Sequence, residues 1–152
     1  MKKFVLLLCL LPQVLCSQIN VHKTEDGWDS IVKQAILLIA KTSPTHYKML
    51  VEHVDVIEFW NKDYSSNTVV DGKGVVLVSS KDIKLNSLNN IAAVLVHETY
   101  HLHLMAMPYI LSGHEEEYQA YSFELKFLKL LQNVEPNLIE FTKEQVKLWN
   151  IK

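Results

Sequence analysis

The sequence predicts a single α+β domain, a small mixed sheet packed on helices, from three patterns in a chain of 152 residues. An apolar stripe recurs at i, i+3 and i+4 from Trp28 to Ile39, a β-branched run occupies Gly74 to Ser79, and a long apolar segment at helical spacing runs from Asn86 to Met107. That length suits one ordinary domain.

The first residues read as an export signal. Lys2 and Lys3 form a basic start, and Phe4 to Leu11 is apolar without interruption but far short of the roughly 20 residues that span a bilayer. The expected division is a signal peptide over 1–16 and a mature domain over 17–152, secreted or periplasmic. Lipidation at Cys16 is disfavoured because the bulky Leu15 stands where a small residue should precede it. Cys9 and Cys16 both lie in this segment, so an exported chain keeps no thiol. Disulfides and thiolate-bound zinc are thereby excluded.

Charge narrows the partners. All 15 basic residues are lysines, against 17 acidic ones. Without arginine the chain lacks the planar fork that reads phosphate or guanine, so no nucleic-acid partner is expected. Loss of Lys2 and Lys3 leaves 13 lysines and a net charge of −4, which gives no attraction to anionic membranes.

The elements follow in order. Glu25-Asp26-Gly27 precedes the first helix, which ends at Thr42-Ser43-Pro44. Apolar residues from Met49 to Phe59 approach alternation and read as a strand, and the turn signal Asp71-Gly72 introduces a second one at Gly74 to Ser79. Asn86 or Ser87 caps the long helix, which Pro108 closes. Residues 114 to 132 form another helix with Tyr118, Tyr121, Leu125, Leu128 and Leu131 on one side; Pro136 closes it, and 142 to 150 add a short last helix.

The middle of the long helix reads His97-Glu98-Thr99-Tyr100-His101, the pattern H-E-x-x-H. At about 100° per residue the two histidines lie about 40° apart, so both imidazoles reach one tetrahedral metal. Glu98 stands about 60° beyond His101 on the same side, where it can face a water without being a ligand. The bland reading makes these residues polar positions on an exposed helix face. Ile91, Ala92, Ala93, Val94, Leu95, Val96, Leu102, Leu104 and Met105 around them argue instead for burial, where unpartnered imidazoles and a carboxylate are costly.

A catalytic zinc takes three protein ligands and keeps one position open. His103 lies about 200° from His101 and points away. His114 is too distant in sequence for the tight three-histidine pattern, which also requires a glycine where Leu104 stands. Among Glu115, Glu116 and Glu117, helical geometry puts only one squarely toward the histidines. Glu117 shares the face of Tyr121 one turn on, and the small Ala120 allows close helix packing; Glu116 remains the alternative.

His97-Glu98-x-x-His101 followed by Glu117-x-x-Ala120 resembles the gluzincin type of metallopeptidase, as in the thermolysin-like and prenyl-protease-like families, over roughly residues 25 to 132. The resemblance implies a minimal zincin-like fold with a shallow cleft, in which strand Gly74 to Ser79 is the edge that pairs with an extended substrate and the first helix backs the sheet. It implies Zn2+ bound by His97, His101 and Glu117, with Glu98 as the general base of peptide-bond hydrolysis on a peptide or protein substrate. Such families often carry an aspartate four residues after the ligand glutamate; here that residue is Tyr121. Its hydroxyl can accept an imidazole N–H or donate to the reaction's oxyanion, a role also open to Tyr100, Tyr118 and His114. The rival expectation is a catalytically inactive zinc protein that holds a peptide or protein partner in the same cleft.

Overall fold

The computed structural model describes residues 19–24, 26–60, 66–70, 74–80 and 87–150. The expected signal peptide and the Asp71-Gly72 turn lie outside the described residues. Strands are β1 (Asn20–Val21), β2 (Val56–Trp60), β3 (Asn67–Val70) and β4 (Gly74–Ser79); helices are α1 (Trp28–Thr42), α2 (Pro44–His53), α3 (Leu88–Met105), α4 (Gly113–Leu128) and α5 (Pro136–Trp149). The architecture is mixed, with a four-stranded sheet in the order β1-β2-β4-β3. β1, β2 and β4 run parallel, and β3 is antiparallel to β4.

The register Ile57↔Val76 and Phe59↔Val78 puts alternate apolar residues of β2 and β4 on one face. Ile57, Val76 and Val78 are fully buried there, in a core shared with Val32, Ile36 and Ile39 of α1, Leu50 of α2, Leu95 and Val96 of α3, and Phe127 of α4. Helix α3 lies against β3, β4, α1, α2 and α4, so it is apolar around most of its circumference. Its start is fixed by Ser87, whose Oγ accepts from the Asn90 N–H at 2.9 Å. No helix among the described residues is long and apolar enough to cross a membrane.

Three expectations are corrected. Met49 to His53 is helical: Ser43 is the N-cap and Pro44 the first helical residue, so the proline that ends α1 also starts α2. The spacing of buried His46, Tyr47 and Leu50 is that of a helix, and the strand begins only at Val56. Pro136 likewise opens α5 rather than closing α4, which stops at Leu128 and is followed by Asn133 at φ 59°. Finally, β4 is an interior strand. It pairs with β2 on one side and β3 on the other, leaving β1 and β3 at the edges, so the strand expected to receive a peptide has no free side.

The start of β4 requires glycine. The Asp55 N–H donates to the Gly74 carbonyl at 2.9 Å, and a Cβ on Gly74 would overlap the carbonyl oxygen of His53. This close approach locks the C-terminal end of α2 to the sheet, with Leu102 of α3 alongside.

Candidate metal centre

The i, i+4 spacing on α3 brings the Nε2 atoms of His97 and His101 to 3.1 Å from each other. Helix α4 supplies the third group. Its Ser112–Glu115 capping box sets where it starts, and the fully buried Ala120 allows it to pack closely on α3. Glu117 then reaches both imidazoles, Oε2 to His97 Nε2 at 3.5 Å and Oε1 to His101 Nε2 at 3.6 Å. His97, His101 and Glu117 are the only group of this kind among the described residues able to hold a metal ion with three donors. Donors on a tetrahedral zinc with bonds of about 2.0–2.1 Å stand roughly 3.3–3.4 Å apart, so the triad fits such an ion without rearranging its helices.

The other nitrogen of His97 faces a group that sequence reasoning missed. Glu124 Oε2 lies 3.1 Å from His97 Nδ1, and Glu124 Oε1 accepts from Thr142 Oγ1 of α5 at 2.8 Å. A carboxylate only accepts, so the Nδ1 proton stays in place and Nε2 is the atom available to a metal. This is the orienting role for which the sequence offered Tyr121. The Tyr121 ring packs against the imidazole at a tilt of 59°, with centroids 4.3 Å apart. Glu124 stands two turns from Glu117, on the same face of α4 and among Phe123, Phe127 and Leu128. That lone acid in an apolar stripe was the available signal.

Electrostatics favour a single positive charge at this corner. Burial pulls His97 down, but hydrogen bonds to Glu117 and Glu124 and the nearby charge of Glu98 outweigh it and push the imidazolium up to about 10. Burial and repulsion from His97 together push His101 down to about 4. Glu117 is held below the ordinary carboxylate range by its bond to His97. A proton on His97 Nε2 therefore occupies the position for which a divalent cation would compete.

The remaining candidates fall outside the triad. Glu98 is 7% exposed, next to His97 on α3. His103 turns toward α2, as its angle on the helix implied, and meets His53. His114, at the start of α4, lies against the Trp149 ring. Glu115 accepts from the Ser112 N–H and is consumed by the cap. Tyr100 donates its hydroxyl to Gln119 at 3.4 Å. Comparison with family models, with curated proteins and with solved structures finds no match, so the reading of this centre rests on its own chemistry.

The third ligand can be assigned directly. Glu117→Ala is expected to weaken Zn2+ binding more than about tenfold, or about 1.4 kcal/mol. Glu115→Ala and Glu116→Ala should each stay within about twofold, because neither belongs to the triad. Calorimetric titration of the three variants decides it: the largest loss at Glu116 would mean that the assigned face of α4 is wrong by one residue.

Proposed function

We propose that this protein is a zinc-dependent peptidase of the gluzincin type, with a minimal zincin-like fold, acting outside the cytoplasm on peptide or protein substrates. The observation that carries the reading is the convergence of two Nε2 atoms and the Glu117 carboxylate at one corner, with Glu98 buried beside it and His97 oriented from behind by Glu124. The mixed sheet against α3, with α4 delivering the third donor, supports a zincin-like arrangement. The extracytoplasmic location rests on the pattern of residues 1–16.

His97, His101 and Glu117 would hold the ion, which when bound supplies Lewis acidity that acidifies a water and polarises a carbonyl. The chain's own residues account for the rest. Glu98 accepts the proton of the attacking water on its carboxylate and delivers it to the departing amine nitrogen, so it ends the cycle unprotonated. Glu124 keeps the Nδ1 proton of His97 in place and fixes the ring plane, and Thr142 holds Glu124. Tyr121, packed on His97, is the group to which we assign hydrogen-bond donation to the negative oxygen that develops on the substrate.

The purified chain, loaded with zinc and desalted, should retain about one equivalent and cleave an unstructured peptide, as expected of a three-ligand site with one open position. His97→Ala should remove both properties. Failure to retain metal after loading would overturn the reading. Metal retained without turnover of any peptide would favour a zinc protein that binds a peptide or protein partner.

A further inference from the structure

Helices α2 and α3 end next to each other, and each carries a histidine in its last turn. His53 closes α2 and His103 lies near the end of α3. His53 Nε2 and His103 Nδ1 are 3.0 Å apart, with the rings edge to face at 63° and centroids 4.9 Å apart. Both residues are only partly buried, so solvent reaches the pair.

Three features make this more than a chance contact of two rings. Each helix presents the negative end of its dipole to the pair, which favours a cation there. The backbone of His53 lies close against Gly74, whose carbonyl accepts from the adjoining Asp55 N–H, which limits the freedom lost when both rings engage one ion. Glu52, beside His53, adds negative charge on the α2 side.

At 3.0 Å the two nitrogens are close enough to occupy adjacent positions on one metal ion with bonds of about 2.0–2.1 Å. Imidazole donors bind Cu2+ most tightly of the first-row divalent ions. We propose that His53 and His103 form a second, solvent-accessible transition-metal site, separate from the His97–His101–Glu117 centre, that takes Cu2+ in preference to Zn2+ with water in its remaining positions. It joins the end of α2 to the end of α3. It does not depend on the peptidase reading.

The test uses the full chain with Zn2+ first added to saturate the triad, followed by titration with Cu2+ monitored by electron paramagnetic resonance. One Cu2+ should bind, with the spectral signature of two imidazole nitrogens. His53→Gln and His103→Gln should each weaken that binding at least tenfold, while the zinc content stays unchanged. His22→Gln and His114→Gln, which alter exposed histidines elsewhere, should leave it unaffected. A parallel titration of His97→Gln/His101→Gln reads the second site even if the triad holds no zinc; circular dichroism confirms that each variant is folded. The proposal is overturned if no Cu2+ binds, or if the His53 and His103 variants bind it as tightly as the parent chain. Either result would leave the two rings sharing only an N–H···N hydrogen bond.

Discussion

Glu98→Gln is expected to keep its zinc and to slow peptide hydrolysis by about 10²- to 10⁴-fold, the usual contribution of a positioned general base. The amide has the same size as the carboxylate, so the buried space beside His97 stays filled. It cannot accept the proton of an attacking water, and the step that makes the nucleophile is lost. Metal affinity should fall only slightly. Glu98 is outside the donor triad, and its effect on the corner is the long-range pull it exerts on His97. Native mass spectrometry for metal content and a fluorogenic peptide for turnover separate the two effects. A variant that holds zinc and cleaves at the parent rate would rule out Glu98 as the base.

Glu124→Ala should lower zinc affinity by about 10- to 100-fold, the range found when the group that orients a ligating histidine is removed. It should also destabilise the fold. Truncation leaves the buried His97 Nδ1–H without its acceptor, at about 1–3 kcal/mol for a group left unsatisfied, whereas the Thr142 hydroxyl keeps the Leu138 carbonyl at 3.0 Å. Glu124→Gln is the informative control. Its amide oxygen can serve one of the two donors, so it should recover part of the stability while still weakening the metal site. Denaturant unfolding of the metal-free chains, set beside zinc titrations, gives both quantities. Unchanged affinity in Glu124→Ala would show that packing against Tyr121 alone orients His97.

What could be read in advance follows the range of the interactions. His97 and His101 lie one turn apart on one helix, and Glu117 shares a periodic face with Tyr121, so helical geometry alone brought these three donors into view. The bond from His97 to Glu124 spans 27 residues, and that from Thr142 to Glu124 spans 18. No local pattern encodes such a pairing, and it becomes visible only once α3, α4 and α5 are packed. The same limit applies to the sheet. The β-branched run of β4 announced a strand, but not that β3 would cover its outer side. Pro44 and Pro136 were ambiguous for a different reason, since a residue without an N–H stops one helix and suits the first turn of the next.

Thr142 is the buried residue of α5, while Phe141 and Leu148 of the same helix are 51% and 53% exposed. The docking of this helix thus depends in part on the hydroxyl that also holds the carboxylate behind His97. Thermodynamic reciprocity then ties the two together: whatever free energy the docked helix lends to an ion at the triad, the ion returns to the docked helix. Undocking of α5 would then favour release of an ion from the triad, and an ion bound there would hold α5 more firmly in place.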